Sequence, residues 1–208
     1  MFKVDILRIY LLCIIGFAIG GSCAIMFLPN AWADNISCLP GKDCRGTARN
    51  DVIKAAGGDD VLVNGEGGDD KIYGSIGTDY ISGGFGNDFM DGGPGDDNLR
   101  DVIGYNTYNG GDGNDEINSW VLSDTINGGP GVDIINSDKG NDRIQGGYGP
   151  DVIDAGDGDD VIYHSSQSLR NTPDGDVDHI YCGGGFDVVW YGIDDGDMIF
   201  DCEIRRGH

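Results

Sequence analysis

Residues 83–91 read GGFGNDFMD and residues 92–100 read GGPGDDNLR, two nine-residue blocks in one register. Glycine stands at positions one, two and four, aspartate at six and a large apolar residue at eight. The pattern G-G-x-G-x-D-x-U-x, with U apolar, returns at 110–118 (GGDGNDEIN), 128–136 (GGPGVDIIN) and 146–154 (GGYGPDVID). Looser copies stand at 74–82 (GSIGTDYIS), 137–145 (SDKGNDRIQ) and 155–163 (AGDGDDVIY). Self-similarity at a short fixed period marks a stack of repeating units, in which each unit buries its apolar residue only against its neighbours.

Extending the frame in both directions places Asp60, Asp70, Asp79, Asp88, Asp97, Asn106, Asp115, Asp124, Asp133, Asp142, Asp151 and Asp160 at position six, with Asp178 and Asp187 resuming the same phase. Position eight holds Ile53, Leu62, Ile72, Ile81, Met90, Leu99, Tyr108, Ile117, Ile126, Ile135, Ile144, Ile153, Ile162, Ile180 and Val189. One apolar residue in nine, inside an x-U-x triplet, predicts a very short strand with U facing inward. The six residues before it form a turn, with glycine where the backbone needs positive φ or close approach. Asp60 and Asp70 are one residue too far apart, which predicts a bulge at Asn64-Gly65-Glu66. His164–Thr172 has no recognisable pattern but keeps the repeat length, so it reads as a degraded coil.

The composition narrows the partners. The chain has 208 residues, 38 glycines and a formal charge of −23 from 36 acidic and 13 basic residues. Without residues 1–33, which carry Asp5, Lys3 and Arg8, 35 acids face 11 bases, a charge of −24. Such a field repels nucleic acid and anionic membrane surfaces and attracts cations. The start of the chain reads as an export signal: Lys3 and Arg8, an apolar run from Leu11 to Leu28, then Ala31-Trp32-Ala33 as a small-x-small cleavage pattern. A cleaved signal peptide and a retained membrane anchor both remain open, and a membrane is expected to matter only through an uncleaved leader. Cys13 and Cys23 belong to that leader. Cys38, Cys44, Cys182 and Cys202 allow three pairings, and their positions favour Cys38–Cys44 and Cys182–Cys202, one staple near each end. An oxidising compartment suits that use. The expected organisation is a leader over 1–33, an N-terminal cap over 34–46, the repeat array over 47–190 and a C-terminal cap over 191–208. Trp190, Tyr191, Met198 and Phe200 are expected to cover the last coil.

The repeat resembles the calcium-binding nonapeptide of the RTX (hemolysin-type) proteins. That resemblance implies an all-β fold, a right-handed parallel β-roll solenoid in which two units make one coil, here with small disulfide-stapled caps. It also implies several calcium ions lying between neighbouring turns on each edge. The implied ligands are Asp60, Asp70, Asp79, Asp88, Asp97, Asp115, Asp124, Asp133, Asp142, Asp151, Asp160 and Asp178, with turn carbonyls completing the shell. Calcium is hard, takes six to eight oxygens and accepts irregular geometry, which acid-rich turns can supply.

Alternate units fall on opposite edges, and the two edges differ. The first holds GSIGTD (74–79), GGPGDD (92–97), GGDGND (110–115), GGPGVD (128–133) and GGYGPD (146–151), all close to the pattern. The second holds GGFGND (83–88), DVIGYN (101–106), SWVLSD (119–124), SDKGND (137–142) and AGDGDD (155–160), degraded in the middle. An unbroken row of ions is expected on the first edge, and missing or weak sites near Asn106 on the second. Val102 and Trp120 share a frame position, as do Ile103 and Val121, with Tyr105 and Leu122 nearby. This group is either an apolar patch for a partner or sugar ring, or a turn repacked over its own apolar groups.

Catalytic patterns are absent. His164, His179 and His208 stand in no ligand spacing, and no G-x-S-x-G occurs. Asp174, Asp176 and Asp178 resemble the start of an EF-hand loop, but His179 occupies its glycine position. The expectation is a non-enzymatic, secreted or cell-surface calcium-binding protein with a structural or matrix role. The alternative is a calcium-dependent adhesion module for an extracellular glycan or surface partner. An enzyme acting on acidic polysaccharide is a third reading, without a recognisable catalytic unit.

Overall fold

In the computed structural model, residues 34–59, 62–163, 176–191 and 196–207 are described. The leader and its cleavage pattern, together with Asp60, His164, Asp174 and His208, lie outside them. Among the described residues nineteen strands, mostly of three residues, alternate between two sheets, ten in one and nine in the other. The first sheet runs from Asn35–Ser37 to Ile204–Gly207 and the second from Cys44–Arg45 to Met198–Phe200. Every pairing is parallel and joins a strand to the next but one in the chain, as in Lys71–Tyr73 with Phe89–Pro94 and Glu116–Asn118 with Ile134–Asn136. The chain is therefore an all-β parallel solenoid of about eight coils, with no helix among the described residues.

The position-eight residues fill the space between the sheets. Ile53, Ile72, Met90, Tyr108, Ile126, Ile144, Ile162 and Val189 project from one sheet, each at most 1% exposed. Val63, Ile81, Leu99, Ile117, Ile135, Ile153 and Ile180 answer them from the other. Branched aliphatic side chains stacked in register on a parallel ladder gain contact along the column as well as across it. The strands stay short because the glycine-rich turns cut them off. Four on the first sheet run on for six residues, through Pro94, Asp112, Pro130 and Tyr148. There the position-four amides of Gly95, Gly113 and Gly131 donate to the Asp112, Pro130 and Tyr148 carbonyls of the following coil. Gly95 has φ +143°, and a Cβ on it would collide with the Gly77 carbonyl, so the position takes glycine on two counts.

Three sequence expectations are corrected here. Leu62 is only half-buried, and Val63 takes its inward place, level with Cys44 and Ile81. The frame is still in phase at Asp59, whose Oδ1 accepts from the Thr78 amide. The extra residue is thus absorbed between Asp59 and Val63, upstream of the expected bulge. Two adjacent apolar residues offer a one-residue choice of register, and packing against Ile81 decides it. His164–Thr172, read above as a degraded coil, lies outside the described residues. Val152–Asp154 pairs directly with His179–Tyr181, and Val161–Tyr163 directly with Val188–Tyr191. Ile180 therefore stands beside Ile153 on the second sheet.

Finally, Trp190, Met198 and Phe200 do not fold over the last coil. Met198 and Phe200 continue the outer face of the second sheet, where Phe200 stacks on Tyr181 at 4.9 Å. Trp190 pairs in register with Tyr163 on the first, its ring stacked on the tyrosine's. The disulfides Cys38–Cys44 and Cys182–Cys202 form as expected, near the two ends.

Candidate metal-binding edges

Each turn ends on its position-six residue, and these stack into one column per edge. On the first edge the Asp79 amide donates to Asp97 Oδ1 (2.8 Å), Asp97 to Asp115 (2.8 Å), Asp115 to Asp133 (2.9 Å) and Asp133 to Asp151 (2.9 Å). The column then continues from Asp151 to Asp178 at 2.8 Å, and ends with Asp178 to Asp197 at 3.1 Å. On the second edge the order is Asp51, Asp70, Asp88, Asn106, Asp124, Asp142, Asp160 and Asp187, every step between 2.7 and 2.9 Å. Asp34 precedes this column and Glu203 closes it. Of the twelve aspartates expected as ligands, the structure brings eleven into these two columns. Asp60 is the one outside the described residues.

Sequence reasoning missed several members. Asp51 stands two residues before Ile53, which the frame had already placed, so the signal was present. Asp187 was in phase but not counted as a ligand. Asp197 precedes Ile199 in the same way, across a turn that has lost its glycine spacing. Asp101, a buried carboxylate at position one, had no precedent in the pattern.

Within the columns one oxygen serves the ladder, and in six of the aspartates the other is left over. Oδ2 of Asp70, Asp88, Asp97, Asp115, Asp133 and Asp160 is buried with no hydrogen-bond partner. It faces the position-one glycine of its own turn: a Cβ at Gly83, Gly92, Gly110 or Gly128 would strike it. Burying a carboxylate in this way raises its pKa, because desolvation penalises the charged form. Burial, opposed by the ladder hydrogen bond and helped by neighbouring acids, pushes Asp70, Asp97 and Asp160 up to about 7. Asp133 likewise reaches about 7, and Asp88 and Asp115 about 6. The charges that bear on these groups are those of other acids. The ion pairs Arg45–Glu66, Arg49–Asp34 and Lys139–Asp157 are all at exposed side chains away from them.

These six buried carboxylates, with no ion pair to a basic side chain among the described residues, call for cations, and the donor set selects their type. All donors are oxygens, with no imidazole or thiolate, which suits a hard ion. Among the described residues no three His, Cys, Asp or Glu side chains converge on one point. Each ion would therefore take carboxylates from two stacked turns and draw its remaining oxygens from the turn carbonyls. A large, irregularly coordinated ion accepts this, whereas magnesium demands a tight octahedron.

Comparison with known proteins agrees with the geometry. The family model of the RTX calcium-binding nonapeptide repeat matches in four copies, over residues 45–69, 64–99, 123–144 and 138–168. No curated protein matches the chain. Repeat register, parallel coils and bare aspartate oxygens together make this chain a member of the RTX calcium-binding repeat proteins, with several calcium ions as its cofactor.

Proposed function

We propose that the chain is an exported structural protein whose solenoid is closed by calcium along both edges. The residues that hold the ions are Asp70, Asp79, Asp88, Asp97, Asp115, Asp124, Asp133, Asp142, Asp151, Asp160 and Asp178, joined by Asp187. Asp60 is the twelfth aspartate of the sequence pattern and is assigned by that pattern alone. The observation that carries the reading is the row of buried, unpartnered Oδ2 atoms on each edge. Without cations, stacked carboxylates about 4.8 Å apart repel one another. With them, the same oxygens become ligands, so folding and metal binding are one equilibrium. Export is supported by the leader pattern and by the two disulfides. No helix among the described residues is long and apolar enough to cross a membrane.

The test is a calcium titration of metal-stripped protein at neutral pH, followed by circular dichroism and calorimetry. Strand signal should appear with calcium at millimolar concentration or below, several ions per chain, and magnesium should not replace it. Unchanged strand content in excess chelator would overturn the proposal.

A second reading, a calcium-dependent adhesion module, is favoured by one observation. Phe85 (68% exposed), Tyr105 (61%) and Trp120 (53%) lie open on the second edge, with Val102, Ile103 and Leu122 also exposed. The turn has not repacked to cover them. Trp120→Ser should abolish calcium-dependent glycan binding if this patch is the adhesive surface, and leave it unchanged if it is not.

A further inference from the structure

The coil Asp101–Asn106 departs from the glycine-led rungs in a way that bears on where calcium goes. At Gly65, Gly74, Gly83, Gly92, Gly110, Gly128 and Gly146 a Cβ would point at the position-six Oδ2 of the same turn. Residue 101 carries a carboxylate in this place, where Ser119, Ser137 and Ala155 stand farther along the same edge. Asp101 is 1% exposed, and both of its oxygens are taken: Oδ1 accepts from the Gly84 amide at 2.7 Å, and Oδ2 from Asn106 Nδ2 at 2.9 Å. Asn106 is equally saturated. Its Oδ1 accepts from the Asp88 amide at 2.8 Å, and its own amide donates to Asp124 Oδ1 at 2.7 Å. These partners fix the orientation of the Asn106 side chain, with Nδ2 where the other turns present a bare oxygen.

An N–H group there cannot ligate a cation and holds its partial positive charge toward it. Two carboxylates at positions one and six would repel, so aspartate at 101 and asparagine at 106 belong together as a pair. One further observation points the same way. The bare Oδ2 atoms of Asp70, Asp88, Asp97, Asp115, Asp133 and Asp160 have no counterpart at this rung.

We propose that the Asp101–Asn106 pair closes this rung in place of calcium, so that the second edge carries two separate runs of ions, one on either side of it. This rests on the calcium reading above. The carboxylate–amide pair is a protein-built clasp. It holds the rungs of Asp88, Asn106 and Asp124 together without an ion of its own, while the turns before and after depend on one.

Native mass spectrometry of the full chain in calcium provides the test, with circular dichroism as a check on folding. D101G/N106D restores the repeat at both positions and should bind one or two more calcium ions than the wild type. D101A should keep the wild-type ion count and melt at a lower temperature. An unchanged count in folded D101G/N106D, or loss of an ion in D101A, overturns the inference while leaving the calcium reading intact. A wild-type chain that takes up no calcium overturns both. If D101G/N106D does not fold, hydrogen exchange on the wild type decides. As chelator is added, the amides of Gly84, Asp88 and Asn106 should lose protection after those of Asp97 and Asp115. The reverse order overturns the clasp.

Discussion

Asp115→Asn separates a ligand from a structural hydrogen-bonder. Asp115 lies in the middle of the first edge, with Asp97 before it and Asp133 after it. Asparagine keeps the Oδ1 ladder, as Asn106 does on the other edge, but replaces the buried Oδ2 by a donor. Without metal at pH 5, Asp115 is held protonated, since burial lifts its pKa to about 6. The substitution then exchanges one neutral group for another and should change stability by no more than about 1 kcal/mol, the net worth of one hydrogen bond. In calcium at pH 7.5 the same change disables the two intervals that share Asp115. At a calcium concentration 100 times the dissociation constant, each ion adds about 2.7 kcal/mol, so losing both costs roughly 5 kcal/mol. Urea unfolding followed by circular dichroism in the two conditions gives the comparison, and mass spectrometry counts the ions. Equal destabilisation with and without calcium would refute the reasoning, because it would make Asp115 a ladder residue and nothing more.

The raised pKa values of Asp70, Asp97, Asp133 and Asp160, at about 7 in the fold against 3.8 as the ordinary value, mean that the fold binds protons more tightly than the unfolded chain. Their contribution is fully present below about pH 4 and lost as pH rises through 7. Metal-free protein should therefore melt higher at pH 5 than at pH 8, and the calcium-loaded protein should lose affinity over the same descent; a metal-free melt independent of pH contradicts this. Ile135→Ala, at a site 1% exposed, should cost about 2–5 kcal/mol in calcium, measured by urea unfolding. Leu122 takes a glycine position with φ +75°, so Leu122→Gly should raise stability by about 1 kcal/mol in the same assay. Removing the staple with C182S/C202S, which closes a loop of sequence separation 20, should lower stability by about 3 kcal/mol.

The patch around Trp120 and the clasp at Asp101 occupy the same stretch of the second edge. Where the turn gives up its ion, its outward residues are freed from the glycine–aspartate pattern, and the chain places Val102, Ile103, Tyr105 and Trp120 there. A calcium-independent rung bearing an apolar surface, set between two calcium-dependent runs, is a physically consistent arrangement for a stiff scaffold with one adhesive point.

By itself the sequence determined the repeat length, the inward column from Ile53 to Val189 and the aspartate that closes each turn. All three follow from local chemistry: a β-branched residue in a three-residue strand, glycine at positive φ, and a short acid ending a turn. The pairing of Cys38 with Cys44 and of Cys182 with Cys202 was also legible from their places at the ends. Only the tertiary structure chose Val63 over Leu62, because the choice is made by the neighbouring coil. Only it set Ile180 beside Ile153 on the second sheet, since the parity of strands between two sheets is a property of the whole stack. The role of Asp101 was equally hidden. Its meaning lies in contacts with Gly84 on one coil and Asn106 on its own, and a linear pattern registers the residue merely as a lost glycine.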